Sequence, residues 1–289
     1  MSSLCINTLI QKYKHKIKNV GILSDDISQI KLILRDSYPD EERLFAVEGI
    51  WAHQKLLDAK IEIKAFLFCP EYVYSDEAVA LVGSFLDKAE KVYMVSQRVF
   101  QNLSERDKPD GFLTIGKLPT YDIDQWNFRD DAVIAVLDGL ETPGNIGTIL
   151  RTCDGSGVDA VFICNKRSRI TNSKLIKSSM GAAFVIPIVE FKHVDDCINW
   201  LAAHSFNIYL ADSNGDKSYK GYEYKGRSAL VLGSERYGLS EQWYGINPNV
   251  LSIPMFGICD SLNVGTAASI ILYEMCLRKR MGGCDKVTS

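Results

Sequence analysis

The chain has 289 residues and a formal net charge of −3, enough length for one large domain or two ordinary ones. A hydrophobic content of 46% supports a sizeable core and argues against disorder. The charge excludes a uniformly basic nucleic-acid binder, although a local basic face would suffice for RNA contact. Eight cysteines (Cys5, Cys69, Cys153, Cys164, Cys197, Cys259, Cys276 and Cys284) contain no Cys-x-x-Cys and have no histidine partner at zinc spacing. They read as small core residues of a reducing compartment. His15, His53, His193 and His204 are scattered and suggest no metal site or triad. The N-terminal MSSLCINTLIQKYKHKIKNV lacks a secretory apolar core. No run approaches the roughly 18 apolar residues of a membrane helix. The expectation is a soluble, cytoplasmic protein.

In chain order, residues 1–40 read as a basic, helix-prone lead-in carrying Lys12, Lys14, Lys16 and Lys18. Residues 41–117 read as a first α/β domain. Its strands are expected at RLFAVEG, IKAFLFC, KVYMVS and GFLTIG, with helices near Ile50–Ala59, Ser75–Ala89 and Gln97–Leu103. Residues 118–131, LPTYDIDQWNFRDD, break the pattern and read as a linker. Residues 132–289 form a second, more regular α/β region. Strands are expected at AVIAVLDG, AVFIC, FVIPIVEF, IYLADS, ALVLGS and VLSIPM, with helices beginning near Asn145, Asn172, Val194, Gly238 and Ser261. Continuous apolar strands separated by helices indicate a buried parallel sheet. Ligands of such sheets bind outside the carboxyl ends of the strands, which points to the loops after Leu137, Leu210, Leu232 and Ile253.

The first of these loops, LDGLETPGNIGTILRT, offers Asn145 as a helix cap. Ile146, Ile149, Leu150 and Cys153 then form a buried stripe, and Arg151 shares a face with Gly147, which would leave an open notch for a phosphate or ribose. Taken alone, a solvent-facing arginine on an ordinary helix is the plainer reading. In LVLGSERYGLSEQW, Gly233 ends a strand, Glu235 follows and Gly238 precedes a helix. This is either a close backbone approach to a ligand or a plain turn. In SIPMFGICDSLNVGTAASIILYE, a polar loop with Asp260, Ser261 and Asn263 leads into a long helix with a buried stripe at Val264, Ala268, Ile271, Leu272 and Met275. Lys166, Arg167, Arg169, Lys174 and Lys177 lie in a stretch without acidic residues, suited to phosphate contacts or to a solvated helix face. No P-loop occurs. Gly155, Gly157 and Ala160 match G-x-G-x-x-A but follow a helix and precede a strand, the reverse of a dinucleotide fingerprint.

Together the three loops resemble the SpoU/TrmH family of SPOUT RNA methyltransferases. The family's motifs occur in order: Asn145-Ile-Gly147 with Arg151; Leu232-Gly233-Ser234-Glu235 with Gly238; and Ile253-Pro254-Met255 followed by Ser261-Leu262-Asn263-Val264. Phe45-Ala-Val47-Glu48-Gly49 and Pro109-Asp110-Gly111 are similar to the family's N-terminal RNA-binding domain, although glutamine is commoner where Asp110 stands. The resemblance implies a C-terminal α/β domain with a parallel sheet and a trefoil knot, which sequence reasoning alone would not propose, and a smaller N-terminal α/β RNA-binding domain. It implies S-adenosyl-L-methionine (SAM) as cofactor, held by Leu210, Ala211, Leu232, Gly233, Gly238, Ile253, Met255, Ser261, Leu262 and Asn263. It implies a homodimer with the last helix near the interface, and no metal or membrane. The implied reaction is methyl transfer to a ribose 2′-hydroxyl, with Arg151, Asn145 and Glu235 as catalytic residues and Lys166, Arg167 and Arg169 on the RNA. Arg151 is expected to orient hydroxyl and phosphate, since a guanidinium does not readily lose a proton, and Glu235 to hydrogen-bond Asn145, Arg151 or the substrate. Ribosomal RNA is favoured over transfer RNA because of the added N-terminal domain. The alternatives are a transfer-RNA 2′-O-methyltransferase and a non-catalytic RNA-binding or ribosome-assembly protein.

Overall fold

The structure is a computed structural model that describes residues 5–284, with side chains through residue 280. The chain divides into two compact units. The first runs to Pro119 and takes in Ile170–Lys177; the second holds Thr120–Arg169 and the chain from Ser178 onward.

The first unit contains α1 (Ile6–Lys12), β1 (Ile17–Asn19), α2 (Asp25–Leu34), β2 (Leu44–Glu48), α3 (Ile50–Asp58), β3 (Glu62–Phe68), α4 (Asp76–Lys88), β4 (Lys91–Met94), α5 (Gln97–Leu103) and β5 (Phe112–Lys117). Its five-stranded sheet has the order β1-β4-β3-β5-β2. The β5 strand runs antiparallel to its neighbours β2 and β3, while β4 runs parallel to β1 and β3. The described part of the expected lead-in, residues 5–40, therefore contributes to the domain, because β1 extends this sheet. The α2 helix buries Ile27, Ile30 and Ile33 and is capped by Ser24 Oγ, which accepts from Ile27 N at 3.3 Å. Two of the lysines read as a basic tract are engaged: Lys18 pairs with Asp26 at 2.6 Å and Lys16 Nζ donates to Leu86 O at 2.7 Å. A three-residue edge strand is too short for periodicity to reveal.

His53 lies in the core of this unit, packed edge-on against Phe85 and Phe112. Its Nδ1 is 2.8 Å from Gly49 O, an acceptor, so the ring donates there; its Nε2 then accepts from Thr114 Oγ1 at 2.8 Å. The ring is held neutral because burial drives its pKa down from 6.5 to about 4.

The second unit contains β6 (Val133–Asp138), α6 (Pro143–Ser156), β7 (Ala160–Cys164), β8 (Ile188–Glu190), α8 (Val194–Ala203), β9 (Asn207–Ala211), β10 (Lys217–Ser218), β11 (Ser228–Gly233), α9 (Glu241–Tyr244), β12 (Asn249–Ser252) and α10 (Val264–Cys284). The intervening α7 (Ser173–Ser178) falls mostly in the segment grouped with the first unit, where Asn172 Nδ2 donates to Asp36 Oδ2 at 2.8 Å. The sheet is α/β and parallel throughout, in the order β10-β12-β9-β11-β6-β7-β8. One face packs Ile134, Val136, Phe162, Leu210 and Val231 against α8 and Trp243 of α9. The helices α6 and α10 pack on each other and against the sheet, contacting β7 from α6 and β6 and β11 from α10. The expected strand FVIPIVEF is confined to Ile188–Glu190, because Ala182–Phe184 close into a 3-10 turn ahead of it. The expected linker is anchored at its end: Phe128 is buried and packs edge-on against Trp200 and Phe206.

Candidate active site

The site forms where β6, β9, β11 and β12 end. Asp138 closes β6 and is 1% exposed. It accepts from Ser240 N at 2.7 Å, Asn165 Nδ2 at 2.7 Å and Trp243 Nε1 at 3.2 Å. One carboxylate thus ties the loops after β6, β7 and β11 together. Sequence reading missed it, because its donors come from distant parts of the chain.

The β11 strand ends in a closed turn. Ser234 and Gly238 exchange backbone hydrogen bonds at 3.0 and 2.9 Å, and Ser234 Oγ accepts from Arg236 N and Tyr237 N at 3.2 and 3.3 Å. Gly238 has φ +70°, a conformation that favours glycine. A Cβ on Gly233 would sit 2.5 Å from the Gly238 carbonyl carbon, so only glycine fits there. Asn263 precedes α10 and caps it, its Oδ1 accepting from Gly265 N at 2.9 Å.

These loops enclose a cavity of about 380 Å³, within the span of small-molecule sites. Ala211, Leu232, Gly233, Gly238, Ile253, Met255, Ser261 and Leu262 all line it. Leu210 and Asn263 do not: Leu210 is fully buried in the core on the helix α8 side, where the alternation of the strand turns Ala211 to the cavity instead, and the Asn263 side chain is given to the start of α10 and to Glu235. Asp212, Tyr237, Tyr244 and Asp260 also line the cavity, and of these Tyr237 and Tyr244 escaped sequence reading. Asp212 accepts from Asn214 N at 2.8 Å and from Tyr244 Oη, whose pKa rises to about 12 through burial and this carboxylate.

Glu235 belongs both to the cavity wall and to a polar cluster. Its Oε1 accepts from Asn145 Nδ2 and from Asn263 Nδ2, each at 2.8 Å, and Asn263 Nδ2 also reaches Asn145 Oδ1 at 3.2 Å. The three motifs therefore meet at one point. Asn145 is not the cap of α6. Thr142 holds that position and Pro143 opens the helix, so Asn145 stands in the first turn with its side chain given to Glu235. Gly147 is buried, so no open notch lies there; the open space is at Gly144, where an added Cβ would meet nothing within 4 Å. Arg151 is exposed and has no ion pair or side-chain hydrogen bond among the described residues.

The basic stretch is less free than its composition suggests. Lys166 is paired with Glu190 at 2.6 Å, Arg169 is half-buried, and Lys177 pairs with Glu105 at 2.5 Å within the first unit. Arg167 is exposed and lines a shallow cleft together with Lys166 and Lys192. Among the described residues no group of three or more His, Cys, Asp or Glu could hold a metal ion, and no helix is long and apolar enough to cross a membrane.

Comparison with known proteins defines the class. Residues 132–273 match the SpoU rRNA Methylase family and residues 26–114 match the MRM3-like substrate binding domain. The family matched is one of RNA methyltransferases, and the first unit is similar to a substrate-binding domain. The chain belongs to the SpoU/TrmH family. It is 27% identical over 206 residues to a 23S rRNA (uridine(2479)-2′-O)-methyltransferase of Streptomyces viridochromogenes, covering 70% of this chain and 71% of that protein. It is 36% identical over 149 residues to a protein of Staphylococcus aureus named for the TrmH family tRNA/rRNA methyltransferases, covering 52% of this chain and 60% of that protein. In fold it is similar to the AdoMet-bound rRNA methyltransferase from Sinorhizobium meliloti, with a TM-score of 0.80, 24% identity, and coverage of 90% of this chain and 97% of that one.

Proposed function

We propose that the protein transfers a methyl group from SAM to a ribose 2′-hydroxyl of ribosomal RNA, and that it does so as a homodimer with the family's knotted C-terminal loops. The observation that carries this reading is that Glu235 is shared by the cavity and by the Asn145–Asn263 cluster, so a small-molecule pocket opens directly onto a polar surface. The names of the Streptomyces relative and of the Sinorhizobium structure support 2′-O chemistry, ribosomal RNA and the methyl donor.

SAM supplies an activated methyl on a good leaving group, so the residues of this chain have mainly to align and polarise the acceptor. The cavity walls at Gly233, Ile253 and Leu262 fix the donor. Arg151, free in solvent and permanently charged, orients the 2′-hydroxyl and its neighbouring phosphate. Glu235 holds Asn145 in place and keeps α6 in register with the cavity. Phe256 and Ile258, 98% and 100% exposed on the loop between β12 and α10, are surfaces that a second copy would cover.

Mapping 2′-O-methylation on RNA from cells with and without the protein tests the reading, and one ribosomal position should lose its methyl. Loss at a transfer-RNA position instead would redirect the substrate, and an unchanged map would refute the activity. In vitro, Arg151→Ala should abolish transfer from labelled SAM while calorimetry shows SAM binding nearly intact. RNA binding without transfer by the unmodified protein would favour a non-catalytic RNA-binding role.

A further inference from the structure

Arg236 and Tyr237 form the tip of the turn that follows β11, next to Glu235. Tyr237 lines the cavity yet is 66% exposed. The Arg236 guanidinium stands over the Tyr237 ring, 5.1 Å from its centroid. Among the described residues the Arg236 side chain has no ion pair or hydrogen bond. The pair is presented on rigid backbone, because Ser234 Oγ holds both of its amides and the Ser234–Gly238 bonds close the turn. A large aromatic ring left mostly in solvent at the mouth of a cavity contributes little to packing. Its stacking on an unpaired cation suits a ligand that offers both a flat ring and a negative charge.

An unpaired nucleotide of RNA is such a ligand. Single-stranded bases are held by stacking on aromatic faces and guanidinium planes, and their phosphates by arginine. We propose that Arg236 and Tyr237 are positioning residues that hold an unpaired base of the substrate RNA at or beside the target nucleotide. The guanidinium covers one face of the Tyr237 ring, the base stacks on the other, and Arg236 takes the adjacent phosphate. This rests on the methyltransferase reading above and extends it to how the ribose is brought to the cavity mouth.

The test uses the full chain and two probes: a short single-stranded oligoribonucleotide carrying 2-aminopurine, and total RNA from cells lacking the protein as acceptor for labelled SAM. Tyr237→Ala should raise the KM for RNA roughly tenfold or more and reduce 2-aminopurine quenching, while Arg236→Gln, at a position outside the cavity lining, should leave the Kd for SAM within about twofold of the original. Tyr237→Phe should restore KM and quenching, since stacking needs no hydroxyl. Arg236→Gln should reduce the salt slope of oligonucleotide binding by about 0.7. An unchanged KM and quenching in Tyr237→Ala, or failure of Tyr237→Phe to restore them, would overturn the proposal. So would a Tyr237→Ala protein that sediments as a smaller species and loses SAM binding, which would assign the ring to contacts between copies. If the original protein transfers no methyl at all, the methyltransferase reading fails by itself, and quenching and salt slope still decide the platform.

Discussion

Removing the Asp138 carboxylate should destabilise the second unit and loosen the cavity together. The side chain is 1% exposed and receives three donors. In Asp138→Ala the indole N–H of the fully buried Trp243 and the amide of Ser240 lose their partner, while Asn165 keeps its 2.9 Å bond to Ser240 Oγ. Each stranded donor costs about 1–3 kcal/mol, or roughly 4 kcal/mol for two. Relief from burying a charge offsets part of this, leaving a net loss of about 3 kcal/mol. For a unit of this size each kcal/mol lowers Tm by roughly 2–4 °C, so a fall of about 6–12 °C is expected. Asp138→Asn keeps the shape and an acceptor oxygen, and should lose less. Ser240 leads into α9, and Leu239 and Tyr244 on either side of it line the cavity. The SAM affinity of the alanine variant should therefore fall with its stability. Denaturant unfolding followed by fluorescence, beside calorimetric titration with SAM, checks both. A loss below about 1 kcal/mol, or unchanged SAM affinity in a destabilised protein, would refute the hub.

Gly233→Ala forces its methyl to within 2.5 Å of the Gly238 backbone, so the turn must open. Calorimetry should show SAM affinity lowered roughly tenfold or more, equivalent to about 1.4 kcal/mol. His53 has a pKa of about 4 in the fold against 6.5 unfolded. The unfolded chain binds the extra proton between those values, so stability contributed by the neutral ring is complete above about pH 6.5 and is lost as pH falls towards 4, by about 3 kcal/mol in all. His53→Gln should flatten that pH dependence in unfolding experiments, and an equally steep profile would show that other groups carry it. Phe256→Ser with Ile258→Ser should shift the protein to a smaller species in sedimentation; an unchanged species would remove this loop from the dimer contact.

What could be read from the sequence follows from how local each constraint is. The strands β6, β7 and β11 are continuous apolar runs between helices, and both their existence and their parallel pairing were evident. Gly233 and Asn263 could be singled out because a tight backbone approach and a helix cap each admit few residue types. The same continuity hides direction: in a strand apolar on both faces nothing distinguishes Leu210, which packs into the core, from Ala211, which lines the cavity. Asn145 was misplaced by one local rule, since Thr142-Pro143 opens the helix and frees Asn145 for a bond to Glu235 that no local window contains. Lys166 looked free because its partner, Glu190, arrives from the next strand. The β1 and β10 strands, three and two residues long, are too short to carry a period.

The two ends of the Asn263 amide have opposite duties. The oxygen faces the first amides of α10 and the nitrogen faces Glu235 and Asn145. Serine, aspartate and asparagine all cap helices well, yet they are not interchangeable here. Aspartate would satisfy the helix and set a second negative charge against Glu235, with no hydrogen to donate. Serine has a single oxygen for both tasks and a shorter reach. Asparagine alone among the good caps joins a donor to an acceptor across one planar group. The start of the longest helix and the rim of the cavity are thus held by one side chain, and neither can shift without the other.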